Sequence, residues 1–75
     1  MGRLGGFSYA QIAKRMRALG FVLDRQAAGS HEIGYHPGTQ RYTTIPHHHG
    51  DLPEGTLRAI LRQAGVSPDA FLQVR

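Results

Sequence analysis

The sequence predicts a small α+β protein in which one sheet of three antiparallel strands is covered on one face by helices. Three observations support this fold class. A helical pattern of apolar residues comes first, strand-like alternation and turn residues fill the middle of the chain, and a second helical pattern follows. Because 75 residues leave room for one core, we expect residues 1–75 to form a single domain.

The first helix has a recognisable start and end. Ser8 and Gln11 have the spacing of a capping box, in which each side chain binds the backbone amide of the other residue. Gly20 follows as a helix-terminating glycine. The apolar residues between these signals share one helix face: Tyr9, Ile12, Ala13, Met16 and Leu19. We therefore predict an amphipathic helix that packs on a core.

Three short strands are predicted next, over residues 21–25, 30–36 and 41–45. Residues 26–30 are small and polar, as in a turn, and Pro37-Gly38-Thr39 is typical of a hairpin. Pro46 ends the third strand. Because consecutive strands with short connections pair with each other, we predict an antiparallel meander.

A second helix and a short third helix complete the prediction. Asp51 and Glu54 have capping-box spacing, and Pro53 suits a first helical turn. Gly65 ends this helix, and Ser67-Pro68 begins the last one. The apolar residues are Leu57, Ile60, Leu61 and Ala64 in the second helix, and Phe71 and Leu72 in the third. Together the helices can cover the apolar face of the sheet.

The charge balance is basic. Eight arginines and one lysine stand against five acidic residues, which gives a net charge of +4 with the histidines neutral. This balance favours a nucleic acid or an acidic protein as partner, because arginine binds phosphate and carboxylate through paired hydrogen bonds. A soluble domain that is merely basic is the alternative.

The chain has no cysteine, so it forms no disulfide and offers no thiolate to a metal. The sequence contains neither a signal-peptide pattern nor an apolar run of about 18 residues. We therefore expect a cytoplasmic protein that does not contact a membrane.

His31 is the first candidate for chemistry. It follows Gly29-Ser30 at the start of the second strand, and a histidine with an ordinary pKa both takes and gives protons near neutrality. Alternation places Ile33 and Tyr35 on the same side as His31, and Glu32, Gly34 and His36 on the other side. His31 therefore either faces a substrate or packs at the rim of the core beside Ile33.

The histidine run, the basic helix residues and the polar or aromatic strand residues each have a structural and a functional interpretation. The run His47-His48-His49 has only Asp51 at ligand spacing, so we expect a polar loop and no metal site. Basic residues on the two helices form either solvated faces or a phosphate-binding strip: Lys14, Arg15, Arg17, Arg58 and Arg62. Four residues of the second and third strands form either ordinary sheet packing or a surface for stacking bases: Tyr35, His36, Arg41 and Tyr42.

Several short segments, taken together, resemble one known family. They are Leu19-Gly20-Phe21, Asp24-Arg25-Gln26, Gly29-Ser30-His31, Thr44-Ile45-Pro46-His47, residues 55–61, Ala64-Gly65-Val66 and Phe71-Leu72. In this order and spacing they resemble the HicA, or YcfA-like, family of toxins from toxin–antitoxin systems.

The resemblance implies an α-β-β-β-α fold like that of a double-stranded-RNA-binding domain. It implies the toxin of a type II system, an mRNA endoribonuclease that needs no ribosome and is inhibited by a HicB antitoxin. The functional histidine of the family falls on His31. Many members place a lysine directly before Gly-Ser-His, where this chain has Ala27-Ala28. Arg25 or Gln26 would then have to make the phosphate contact of that lysine.

We accordingly predict that His31 is the general base of a cleavage that uses no metal or other cofactor. His36 and His47 are the candidates for protonating the leaving group. The predicted RNA-binding residues are Arg25, Gln26, Gly29, Ser30, Arg41, His47, Arg58 and Arg62. We expect no DNA binding by this chain. A non-catalytic RNA-binding module of the same fold is the main alternative, and a domain that binds only an acidic protein is the third.

Overall fold

The computed structural model describes residues 3–24, 31–47 and 49–74. The elements in chain order are α1 (Tyr9–Ala18), β1 (Val22–Asp24), β2 (His31–His36), β3 (Arg41–Pro46), α2 (Glu54–Ala64) and α3 (Pro68–Gln73). The predicted α+β class and the predicted order of elements are therefore confirmed. None of the helices in these three segments is long and apolar enough to cross a membrane.

The three strands form one antiparallel sheet in the order β1-β2-β3, as predicted for a meander. Gly34 in the central strand lies opposite Leu23 of β1 and Thr43 of β3. The connection between β2 and β3 spans residues 37–40 and so includes Gln40, which the predicted turn leaves out. Gln40 has a φ of +60°, in the left-handed region that often closes a hairpin.

Helix α1 begins with the predicted capping box. Ser8 Oγ accepts a hydrogen bond from the backbone amide of Gln11 at 3.2 Å, and the Gln11 side chain accepts one from the amide of Ser8 at 2.9 Å. Both amides would otherwise lack a partner at the start of the helix. Ile12, Ala13 and Met16 are buried, so the predicted apolar face is confirmed.

Helix α2 begins differently from the prediction. Asp51 forms an isolated antiparallel bridge with Ser8, and the amide of Leu52 donates to the carbonyl of Phe7 at 2.8 Å. Pro53 takes the N-cap position without any side-chain hydrogen bond. The predicted Asp51 cap is therefore wrong, because pairing with the segment before α1 occupies Asp51 and delays the helix to Glu54.

The later helix signals are confirmed. Gly65 ends α2 in the left-handed conformation, with a φ of +73°. Ser67 then caps α3, and its Oγ accepts a hydrogen bond from the amide of Ala70 at 3.1 Å. Pro68 is the first residue of α3, where its missing amide hydrogen costs nothing.

Helices α1 and α2 cover the same face of the sheet. The hydroxyl of Tyr9 in α1 donates a hydrogen bond to Glu32 of β2, and the hydroxyl of Thr43 in β3 donates to the carbonyl of Ile60 in α2 at 3.1 Å. Glu32 and Thr43 point to one side, since Thr43 lies opposite Gly34. The core between the layers consists of Leu4, Ile12, Met16, Phe21, Ile45, Leu52, Leu57, Ile60, Leu61, Ala64 and Phe71.

Arg15 holds the C-terminal segment against α1. Its Nη1 donates hydrogen bonds to the carbonyls of Phe71 at 3.0 Å, Leu72 at 3.3 Å and Val74 at 2.7 Å. The guanidinium carbon also lies 5.0 Å from the ring centre of Phe7 and 5.5 Å from that of Phe71, within cation–π range. Arg15 is therefore occupied by contacts within the fold. Its guanidinium does not belong to a phosphate-binding strip on α1.

Candidate catalytic site at the start of β2

His31 is the first residue of β2 and lies opposite Pro46, the last residue of β3. Its side chain is exposed, whereas the next residue, Glu32, is only 1% exposed. Because neighbouring strand residues point to opposite faces, His31 faces away from the core. Ile33 shares this outer face and is half-buried there. His31 therefore does not pack at the rim of the core, and its imidazole is accessible to a substrate.

A groove of about 320 Å³ lies beside His31, between the edge of β3 and α2. The strands contribute His31, Thr44 and Pro46 to its lining, and α2 contributes Thr56, Ala59, Ile60 and Gln63. Of these residues, the sequence predicts a functional role only for His31. The others lie on the flank of α2 and the edge of β3, and only tertiary packing brings these two elements together.

Gln63 joins α2 to the edge of the sheet. Its Oε1 accepts a hydrogen bond from the backbone amide of Thr44 at 3.1 Å. It also lies 2.9 Å from the hydroxyl oxygen of Thr43, whose one hydrogen is shared with the carbonyl of Ile60. The Thr44 amide therefore points away from β2, toward the free edge of β3, and Gln63 satisfies it there. Pro46, two residues further along the same edge, has no amide hydrogen to satisfy.

A polar cluster lies under the same end of the sheet, on the side that the helices cover. Tyr9 donates a hydrogen bond to the buried carboxylate of Glu32. His47 approaches from the end of β3: its Nε2 lies 3.9 Å from Glu32 Oε1, and its ring centre lies 4.2 Å from that of Tyr9. The side chain of His47 is therefore directed toward Tyr9 and Glu32, away from the face on which His31 stands.

His36 lies at the far end of β2. It lies five positions along the strand from His31, which corresponds to about 17 Å. Its Nδ1 accepts hydrogen bonds from the backbone amides of Gly38 at 3.0 Å and Thr39 at 3.1 Å, and its ring packs on Phe21 with 5.1 Å between ring centres. His36 thus stabilises the hairpin turn. Neither His36 nor His47 is placed to share a proton transfer with His31.

The proposed stacking surface separates into two parts. Tyr35 and Tyr42 stand on the outer face with 4.7 Å between their ring centres, and Tyr42 is 60% exposed. His36 and Arg41 point to the other face. Arg41 lies against Gly65 at the end of α2, where a β-carbon would come within 2.9 Å of its Nε. Only the two tyrosines are therefore available together on the outer face.

The two arginines of α2 lie away from His31. Arg58 Nη2 pairs with Glu54 Oε2 at 3.0 Å, one helical turn back, and Arg62 follows Arg58 by another turn. Both line a second groove of about 280 Å³ between α2 and α3. At 100° per residue they project from the flank of α2 opposite to that of Gln63. The structure does not bring these arginines to the groove beside His31.

Four of the predicted RNA-binding residues lie outside the described residues: Arg25, Gln26, Gly29 and Ser30. His48, in the middle of the histidine run, does so as well. Among residues 3–24, 31–47 and 49–74, no group of three histidine, aspartate or glutamate side chains comes close enough to hold a metal ion.

Comparison with known protein families assigns the chain to the toxins of bacterial toxin–antitoxin systems. The sequence model of the family described as "HicA toxin of bacterial toxin-antitoxin" matches residues 9–66, from the start of α1 to just beyond the end of α2. The chain therefore belongs to the HicA toxin family, and membership implies an antitoxin as partner. A comparison with curated proteins finds no match.

Proposed function

We propose that this protein is the toxin of a type II toxin–antitoxin system and acts as a ribosome-independent mRNA endoribonuclease, with His31 as the general base. The observation that carries the proposal is the exposed imidazole of His31 beside a groove, on the face of the sheet opposite the core. Membership of the HicA toxin family supports it. We propose that it acts in the cytoplasm, where its proposed mRNA substrate is present.

The proposed reaction begins at a ribose of the RNA. His31 accepts the proton of the 2′-hydroxyl, and the 2′-oxygen forms a bond to the adjacent phosphorus. The bond from that phosphorus to the 5′-oxygen of the next nucleotide breaks, which leaves a 2′,3′-cyclic phosphate and a 5′-hydroxyl. Because neither His36 nor His47 faces His31, we propose that water donates a proton to the leaving 5′-oxygen. A positioned base contributes about 10²–10⁴-fold to such a reaction.

The reaction needs no metal to generate a nucleophile, since the nucleophile belongs to the substrate. Charge that develops on the phosphate still requires stabilisation. We propose that Arg25, Gln26, Gly29 and Ser30, which directly precede His31 in the chain, supply it. The other predicted RNA-binding residues lie too far from one another to bind the same phosphate. We propose that they bind flanking parts of the RNA; they are Arg41, His47, Arg58 and Arg62.

We propose that a HicB-type antitoxin inhibits the toxin by covering His31 and the groove beside it. Occlusion is sufficient for inhibition because both features lie on the surface. Co-purification of the toxin with an antitoxin, and recovery of nuclease activity after their separation, would support this mechanism.

The test compares wild-type protein with His31→Ala, using His49→Ala as the control because His49 is also an exposed histidine. Induced expression of the wild type and of the control should arrest growth and degrade mRNA, whereas His31→Ala should do neither. The purified wild type should leave 2′,3′-cyclic phosphate ends and should cleave equally well in EDTA. Loss of cleavage in EDTA would contradict the metal-free reaction. RNA binding without any cleavage would establish the non-catalytic module instead.

A further inference from the structure

We propose that the groove beside His31 is a base-binding subsite in which the side-chain amide of Gln63 donates a hydrogen bond to the carbonyl oxygen of a uracil or guanine base. This inference rests on the proposed ribonuclease function and adds a preference for particular bases to it. Gln63 then determines specificity and takes no part in proton transfer.

The orientation of the Gln63 amide follows from its partner on β3. The backbone amide of Thr44 can only donate, so the Gln63 atom 3.1 Å from it must be the oxygen, Oε1. The hydroxyl oxygen of Thr43 lies 2.9 Å from the same oxygen and shares its one hydrogen between it and the carbonyl of Ile60. The nitrogen of the amide, with its two hydrogens, is thereby directed away from β3. Within the described parts of the chain this nitrogen has no hydrogen-bond partner.

The lining of the groove suits a base better than a phosphate. Among the described residues, His31 is the one titratable group in the lining, and neither an arginine nor a lysine is present. Ala59 and Pro46 offer apolar surface for a flat ring, and Thr44 and Thr56 add polar atoms. The volume of about 320 Å³ falls at the lower end of the range for small-ligand sites, about 300–1,000 Å³.

His31 fixes which nucleotide the groove receives. Because His31 is itself part of the lining, a base in the groove brings its own ribose and phosphate next to the imidazole. The base recognised is therefore one that adjoins the cleaved bond. A preference that originates in this groove has to be found at a single position next to the cut.

A donor at this point distinguishes bases by their exocyclic groups. Uracil and guanine present a carbonyl oxygen where cytosine and adenine, respectively, present an amino group. The Gln63 amide nitrogen donates a hydrogen bond to the carbonyl oxygen of uracil or guanine. It makes no hydrogen bond with the amino group of cytosine or adenine, because both groups are donors. A single hydrogen bond of this kind corresponds to a preference of about 3- to 10-fold.

The decisive variant is Gln63→Glu. A glutamate retains an oxygen for the Thr44 amide but presents a second oxygen, an acceptor, where the wild type presents a donor. Gln63→Leu removes both functions. Gln73→Glu is the matched control, because Gln73 is exposed on α3, outside the groove, and the substitution adds the same negative charge.

The experiment is partial cleavage of a short single-stranded RNA library of random sequence, followed by sequencing of the product ends. Wild type and Gln73→Glu should prefer uracil or guanine at one position beside the cut. Gln63→Glu should shift this preference toward cytosine and adenine, and Gln63→Leu should remove it. An unchanged preference in Gln63→Glu would overturn the subsite while leaving the ribonuclease function intact. Cleavage that survives His31→Ala would instead overturn the proposed function.

A second measurement does not depend on cleavage. In a nuclear magnetic resonance titration of ¹⁵N-labelled His31→Ala protein, uridine monophosphate should shift the signals of the Gln63 side-chain amide and the Thr44 backbone amide. Cytidine monophosphate at the same concentration should shift them less. Equal shifts with both nucleotides, or no shifts, would overturn the subsite.

Discussion

Gly20 lies so close to His36 that a β-carbon on Gly20 would stand 2.7 Å from Nε2 of that histidine. Gly20 also has a φ of +101°, a conformation that side chains with a β-carbon rarely adopt. His36 in turn binds the amides of Gly38 and Thr39 in the β2–β3 turn. The end of α1 and the hairpin turn are therefore held together through one imidazole.

Gly20→Ala should destabilise the protein by about 1–3 kcal/mol, because it combines an unfavourable φ with a collision. Gly55→Ala is the control: Gly55 lies in α2, and a β-carbon there meets no atom within 4 Å. That substitution should stabilise the protein by up to about 1 kcal/mol through helix propensity. Chemical denaturation measures both changes. Equal stability of Gly20→Ala and wild type would contradict the close packing.

His36→Leu should weaken the turn without affecting cleavage. Leucine retains an apolar contact with Phe21 but accepts no hydrogen bond, so the amides of Gly38 and Thr39 should exchange with solvent faster. RNA cleavage should be unchanged, because His36 lies about 17 Å from His31 along β2. A large loss of cleavage in a folded His36→Leu protein would return His36 to the list of candidate proton donors.

Arg15→Lys should lower the free energy of unfolding by about 1–3 kcal/mol, although it keeps the charge. Lysine cannot reproduce the planar contact with Phe7 and Phe71 together with the bonds to the C-terminal carbonyls. Arg17→Lys, on an exposed position of the same helix, should change little. Thermal unfolding of the two variants provides the comparison, and an equal effect of both would show that Arg15 contributes only charge.

Tyr9→Phe should destabilise the protein by about 1–3 kcal/mol, because it removes a hydrogen-bond donor from the buried carboxylate of Glu32. Tyr42→Phe removes the same hydroxyl from an exposed tyrosine and should be nearly neutral. Denaturant titration measures both. The double variant Tyr9→Phe with Glu32→Gln should be less destabilised than the sum of the single variants, since a neutral amide needs less compensation than a carboxylate. Additive effects would contradict a direct interaction.

Local signals predicted most of the fold correctly. The capping box of Ser8 and Gln11 and the glycine at position 65 act through the backbone of their own helix, so the sequence next to them is sufficient. Asp51 failed as a cap because its partner, Ser8, is remote in the chain. The contacts of Arg15 are likewise not predictable from the sequence around it, because its acceptors lie far along the chain at the C-terminus.

The sequence by itself determined the order of helices and strands and the apolar face of each helix, because these follow from residue type and short-range spacing. Only the tertiary structure decided which face of β2 is buried. Glu32 and Gly34 face the core, and His31 and Ile33 do not, because Tyr9 satisfies the Glu32 carboxylate beneath the sheet. It also decided that Gln63 meets Thr44 beside His31, since that contact depends on how α2 packs on the edge of β3.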